Sequence, residues 1–488
     1  MNFSPVHFIA VPLFAAFLIP IAGRFFKESV KIIPGIVLLY LSYVSIYLYP
    51  IALKHPIVEI IAGFKAPFGI SLYYGPLAAF LVAMVTIIGF VIWLYSYKFI
   101  IREPAEKYFM LFMLLITGST GIMLTGDIFN MFVFLEITSI AAFSLTAFLR
   151  DKDGAEAAFK YLLIGSFSST FYLIAVMLIY TNTGTLNIAD IGVKMANVAP
   201  QMKIFILILF LVGFGIEAEI FPLNGWAPDA YSQAPSPVGA VFGGMVVKAS
   251  IYALMRIIFI MFNFHSVFEF LVVMGVITML IAEMAAMRQQ QIKRMLAFSS
   301  IGQMGLVIIA FGIGTDASVR AALFQMFNHA VIKSLLFLAA GYLVFHSGSK
   351  KISALDGLGY HKPITSFFFA LGALAIIGLP PFAGFWSKLY VLTSVAKGGF
   401  LATVVIILFS SIIEAVYYLR VISRLYFKKD VVHYSVRRTP YSGLVAMGVL
   451  AVVIVVVGLY PHLLLEFIKP AAHDLIDKAA YIKAGLFH

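Results

Sequence analysis

The stretch GFGIEAEIFPLNGWAPDAYSQAPSPV, residues 213–238, decides how the rest of the chain is read. An apolar segment that begins near residue 204 runs into two acids, Glu217 and Glu219. It is then cut by prolines from Pro222 to Pro228 before a second apolar segment starts near residue 238. Proline lacks a backbone N–H and its ring clashes with the preceding turn, so a helix kinks or stops there. At membrane depth the freed carbonyls are tolerated only inside protein or beside a water-filled cavity. The construction recurs in GLPPFAGFWSKLYV (378–391), where Pro380 and Pro381 interrupt an apolar segment and Lys388 follows.

Working outward, the surroundings are membrane-like throughout. Of 488 residues 62% are hydrophobic and 11% charged, with a mean hydropathy of +1.01. This is the composition of an integral membrane protein. A span needs about 20 apolar residues. By that measure the chain is an all-α polytopic membrane protein of about 14 transmembrane helices, starting near residues 6, 30, 74, 108, 127, 157, 204, 238, 267, 294, 317, 365, 401 and 441. The first, apolar from Val6 to Ala22, has no small-residue cleavage site and reads as a retained helix. The 47 phenylalanines read as lipid-facing and core packing. The absence of Cys excludes disulfides, thiolate metal sites and cysteine-held iron–sulfur clusters in this chain. No cofactor, metal site or catalytic residue is expected.

An even number of spans puts both ends on one side. Loops of the opposite side carry nineteen Lys and Arg, against nine on the terminal side and in the tail. The positive-inside rule therefore places both termini outside a cell membrane. The basic run from Arg424 to Arg438 becomes a cytoplasmic loop against anionic lipid. The net charge of +12 follows these loops and implies neither nucleic acid nor an acidic substrate.

The chain also resembles itself at a spacing of about 160 residues. FPLNGWAPDAY (221–231) aligns with PPFAGFWSKLY (380–390), matching Pro222 to Pro381, Gly225 to Gly384 and Tyr231 to Tyr390. VVKASIYALMR (246–256) aligns with IIEAVYYLR (412–420), and DGAEAAF (153–159) with DASVRAAL (316–323). The repeats would be helices 4–8 (residues 106–263) and 9–13 (264–427), preceded by helices 1–3 (1–105). The basic loop, helix 14 and a tail (428–488) follow. Five helices per repeat invert the second relative to the first. Inverted repeats with broken helices, here helices 7 and 12, are a common build of transporters with midplane sites.

Six ionisable residues sit near the middle of apolar segments: Glu136, Glu217, Lys248, His329, Lys333 and Glu414. Lys388 is a seventh. A charge at bilayer depth costs about 2.5–3.5 kcal/mol on insertion scales, so the set reads as a polar path for protons or cations. Lys248, Tyr252 and Arg256 share a helix face, as do His329 and Lys333. Arg256 reads as a snorkelling or structurally paired side chain. Glu217 or Glu219 either belongs to the path or faces a cytoplasmic vestibule, and Lys388 is either in the path or interfacial. Glu414 either takes part directly, balances charge near the outer exit, or pairs with a partner subunit. Asp229 reads as part of a turn around the break.

Seven stretches in order carry a family resemblance: FVFLEITSIAAFSLTAF (132–148), EAAFKYLLIGSFSS (156–169), residues 213–238, VVKASIYALMR (246–256), QIKRMLAFSSIGQMG (291–305), FNHAVIKSLLFLAAG (327–341) and residues 378–391. Over roughly residues 105–425 the chain resembles the proton-conducting antiporter-like subunits of respiratory complex I and their counterpart in Mrp-type cation/proton antiporters. Related subunits of archaeal membrane-bound hydrogenase and sulfur-reducing complexes are similar. The resemblance implies a coupling acid at Glu136, then Lys248, His329 with Lys333, and Lys388 along a midplane axis. At helix 7 the family usually has G-I-K-A, whereas this chain has Gly215, Ile216, Glu217 and Ala218. Two carboxylates, Glu136 and Glu217, would then share a proton or a cation.

These readings give an ion-translocating subunit of a multisubunit membrane complex, moving H⁺ and, in one version, exchanging it with Na⁺. Its partners would be other membrane subunits and the lipid bilayer. Uptake would occur near Lys248, transfer through His329 and Lys333, and release at Lys388, with Glu136 and Glu217 as a gate. The alternative is the pumping arm of a redox-driven complex whose redox centres lie in other chains. A stand-alone transporter is a third reading.

Overall fold

The computed structural model describes residues 3–64, 66–100, 104–262, 264–427 and 438–486. Most of the basic loop at 428–437, and with it Lys428, Lys429 and Arg437, lies outside the described residues, as do Lys65 and Arg102.

Where no water is present, each backbone N–H and C=O must be satisfied within its own segment, and helices do this. Among the described residues thirteen helices are long and apolar enough to span a membrane. They are α1 His7–Phe25, α2 Ser29–Lys54, α3 Pro76–Phe99, α4 Ala105–Leu124, α5 Ile128–Thr146, α6 Lys152–Thr183, α7 Pro200–Glu217 and α8 Ser236–Met261. After these come α9 His265–Arg288, α10 Ile292–Gly312, α11 Asp316–Ser347, α13 Leu401–Phe427 and α14 Tyr441–Leu459. The remaining expected span, α12, is two half-helices, Pro363–Ile377 and Ala383–Lys397, with Pro380 and Pro381 between them. The fold class expected from the sequence is the one observed.

The correspondence between α4–α8 and α9–α13 is visible in the elements themselves. α6 and α11 are each 32 residues long. Each starts at a side-chain cap: Asp151 accepts from the Gly154 N–H, and Thr315 from the Ser318 N–H. Each ends at a glycine in the left-handed region, Gly184 at φ 69° and Gly348 at φ 68°. α7 stops at Glu217 and helix resumes at Ala227–Gln233, as α12 stops at Ile377 and resumes at Ala383. Pro222 lies in the first break. Pro228 instead opens the helix Ala227–Gln233, where a missing N–H removes no helical bond.

Close approach of backbones sets the core. A side chain at Gly305 of α10 would sit 2.7 Å from the Gly275 carbonyl of α9, so small residues let these two helices touch. A lipid-facing rim remains, with Phe14 at 67% exposure while Phe8 on the same helix is fully buried. On the terminal side a hairpin pairs Ile57–Ile60 with Ser71–Tyr74. There two tail helices, α15 Pro461–Ile476 and α16 Lys478–Leu486, close over the bundle. Arg256 anchors them. Its guanidinium donates to Asp474 Oδ2 (2.7 Å) and the Asp474 carbonyl (2.9 Å), and Tyr73 donates to Asp474 Oδ1 (2.6 Å). Of the two readings for Arg256, the structurally paired one holds.

Candidate functional site

The helix that carries Lys248 is irregular for a physical reason. Residues Phe242–Val246 form a π-helical turn, one residue wider than an α turn. The fully buried Lys248 Nζ turns back and donates to the Gly243 carbonyl within that turn. The same Nζ lies 2.5 Å from Nδ1 of His329 on α11. The other imidazole nitrogen, Nε2, lies 3.2 Å from the Ser300 hydroxyl on α10. Three helices therefore meet at one buried lysine–histidine contact.

One turn along α11, Lys333 donates to Ser299 Oγ (2.6 Å), Tyr418 Oη (3.0 Å) and the Leu296 carbonyl (3.2 Å). Farther along, Lys388 pairs with Glu414 at 2.5 Å, and both are buried. Lys388 also donates to the Ile377 carbonyl (2.9 Å), which the α12 break leaves without a helical partner. Gln303 donates to the other Glu414 oxygen (2.8 Å), and Gln325 donates to Gln303 (2.5 Å). The interfacial reading of Lys388 is thereby corrected. Within this chain Glu414 is paired with Lys388.

The acids of the first half are bonded differently. Glu136 is half-buried and accepts a hydrogen bond from Ser169 of α6. Glu217 is 2% exposed and lies against Ser139 and Tyr161, with Oε1 lacking any partner. Glu219 is fully buried, has neither carboxylate oxygen bonded, and holds its backbone at φ 61°. A carboxylate facing an aqueous vestibule would be exposed, so that reading is corrected for both. Glu136 and Glu217 are electrostatic neighbours. No group of three acidic or histidine side chains able to hold a metal ion occurs among the described residues.

Sequence reasoning missed several members. Glu283 of α9 is 1% exposed and accepts from Tyr417 (2.8 Å), beside the Lys388–Glu414 pair. Its lone acid in an apolar run follows the rule that found Glu136, yet it is not among the residues singled out from the sequence. Ser299, Ser300, Gln303, Gln325, Tyr417 and Tyr418 carry no sequence signal of their own, because neutral polar residues are common in packed helices. Asp229 is more than a turn residue: it pairs with Lys160 of α6 (3.2 Å) and with Arg294 of α10, tying the two halves together.

Residues 125–414 match the family described as NADH:quinone oxidoreductase/Mrp antiporter, transmembrane. The chain is 33% identical over 483 residues to the N subunit of the NADH-quinone oxidoreductase of Desulforudis audaxviator, covering 93% of this chain and 95% of that protein. It is 32% identical to the D subunit of the Na⁺/H⁺ antiporter of Alkalihalophilus pseudofirmus, covering 73% and 74%. A chain of the membrane-bound sulfane sulfur reductase, an archaeal respiratory membrane complex, superposes with a TM-score of 0.94 at 38% identity, covering 99% of this chain and 100% of that one. The broken helices, the buried Lys248–His329 contact and these likenesses agree: the chain belongs to the NADH:quinone oxidoreductase/Mrp antiporter transmembrane family.

Proposed function

We propose that this chain is the ion-translocating, antiporter-like subunit of a multisubunit membrane complex, and that protons move through its buried Lys248, His329, Lys333, Lys388 and Glu414. The observation that carries the reading is the Lys248–His329 contact, which bridges α8 of the first half to α11 of the second with no exposed atom in either residue. A buried lysine holds its proton less readily than one in water, and a nearby carboxylate restores it. Changing the charge of one member therefore moves a proton at the next.

Glu136 supports a partner at the α5–α6 face. It is half-buried where Ile140 (57% exposed) and Phe167 (62% exposed) face outward. A carboxylate left in lipid is unfavourable, so a neighbouring membrane subunit over this face accounts for it. Glu136 and Glu217 then form the gate through which that neighbour acts. We further propose the repeat boundaries 106–263 and 264–427, and a cell-membrane orientation with both termini outside, on the charge bias between loops.

A second reading is favoured by the 38% identity to the sulfane sulfur reductase chain: translocation driven by redox chemistry in other subunits. The likeness to an Na⁺/H⁺ antiporter makes Na⁺ the exchanging ion to test. The experiment is isolation of the complex from native membrane, identification of the subunits that come with it, and reconstitution. Proton and ²²Na⁺ flux are followed with Lys248→Ala as the control. Full flux in that variant overturns the path.

A further inference from the structure

A gap divides the buried charges. Glu136 and Glu217 lie on one side of the α7 break, Lys248 and His329 on the other, and no hydrogen bond among the described residues joins the two groups. Glu219 and Tyr231 stand in the gap. Glu219 comes two positions after Glu217 and lies next to the Tyr231 hydroxyl, with Lys248 and Lys333 as neighbouring lysines. Tyr231 faces both Glu219 and Ser300, and Ser300 already contacts His329 Nε2. Yet the Tyr231 hydroxyl and both Glu219 oxygens are buried without a completed hydrogen bond. Buried polar groups are almost always bonded, so three orphaned atoms side by side mark a link that closes in another state. The left-handed backbone of Glu219 is of the kind held at switch positions.

We propose that Glu219, Tyr231 and Ser300 form a gated proton link between the acidic group of the first half and the Lys248–His329 contact, resting on the proton-path reading above. The transfer balances with no other co-reactant. Glu219 gives its proton to the Tyr231 oxygen as Tyr231 passes its own to Ser300. Ser300 passes its own to His329 Nε2, and the Nδ1 proton moves to the neutral Lys248 amine. Only Glu219 and Lys248 change charge, and His329 changes tautomer. The link is open in this structure. Closing it needs only a small side-chain rotation of Glu219 or Tyr231, which already lie beside each other and beside Ser300. The lysine that the family resemblance places at residue 217 is absent, and Glu219 supplies the titrating group that brings a proton to the break.

The test uses the intact complex in proteoliposomes. Tyr231→Phe keeps the ring that packs against Phe242 and Phe337, each 5.4 Å away, and removes only the hydroxyl. It and Glu219→Gln are each expected to lower proton flux at least about tenfold with subunit composition unchanged, as loss of a positioned proton-transfer group does. Infrared difference spectra of the working complex should lose a protonated-carboxyl band in Glu219→Gln, a change that a packing role would not produce. If Tyr231→Phe fails to assemble, Ser300→Ala carries the same flux test. Wild-type flux in these variants, with flux abolished in Lys248→Ala, overturns the link and leaves the path standing. Wild-type flux in Lys248→Ala as well overturns both.

Discussion

The two repeats share element lengths and helix caps, yet they bond their fully buried carboxylates differently. In the second, Lys333, Lys388, Glu283 and Glu414 all have hydrogen-bond partners, and Gln303 and Gln325 extend the network. In the first, Glu217 and Glu219 are buried with three oxygens unbonded. By sequence register α6 and α11 align so that Ser169 stands where α11 has Lys333, and Gly165 where it has His329. One repeat thus has a lysine–histidine helix and the other a serine–glycine one. A bonded network fixes where charges sit. Unbonded carboxylates leave a site whose charge and geometry can change, and under the proposed path this is where a neighbouring subunit would act.

The sharpest way to break this comparison is to remove one partner of the bonded half. Lys388→Ala strands Glu414, and loss of one member of a buried pair destabilises by about 3–5 kcal/mol. The thermal midpoint of the purified complex should fall and flux should vanish. The double variant Lys388→Met with Glu414→Met should recover much of the midpoint and none of the flux. Recovery of flux would show that the pair is purely structural.

Arg256–Asp474 provides the matched control, a buried pair outside the path. Asp474→Ala should lower the midpoint by a similar amount, again about 3–5 kcal/mol for a broken buried pair. Flux per assembled complex should stay as in wild type, because this pair anchors the tail helices and touches none of the path residues. A flux loss matching Lys388→Ala would place the tail in the mechanism.

His329→Ala separates holding from folding. It removes a neutral-capable ring and strands no carboxylate, so the midpoint should move by less than in Lys388→Ala. Flux should drop at least about tenfold, as loss of a general acid–base group does. Unchanged flux would remove the α8–α11 bridge from the path.

The smallest effect is expected at the unbonded half. Glu217→Gln should leave the midpoint unchanged or raised, since it replaces a buried carboxyl group whose Oε1 has no partner. It should also shift the Na⁺ dependence of flux, while Glu217→Lys should give an Na⁺-independent proton path. If neither variant alters Na⁺ dependence or flux, Glu217 has no part in transport. Orientation is tested without perturbing function. The chain has no Cys, so a single cysteine at Lys351 should label from the inner face and one at Lys469 from the outer.

The sequence alone determined the spans, the two breaks and most of the ionisable residues inside apolar runs, Glu283 excepted. Each is a local property: apolar run length sets a span, proline ends a helix, and a charge inside an apolar run is costly wherever it lies. Glu136, Lys248, His329, Lys333, Lys388 and Glu414 were legible on that ground. Partnership was not. That Lys388 binds Glu414, that Lys248 meets His329, and that Arg256 holds Asp474 depend on which helix faces come together across 26, 81 and 218 residues of chain. Serine and tyrosine hydroxyls and glutamine amides give no periodic signal, so Ser300, Tyr231 and Gln303 emerged only when packing placed them between charges. The tertiary structure alone decided which buried charges are satisfied, because satisfaction belongs to pairs of atoms and a sequence records residues one at a time.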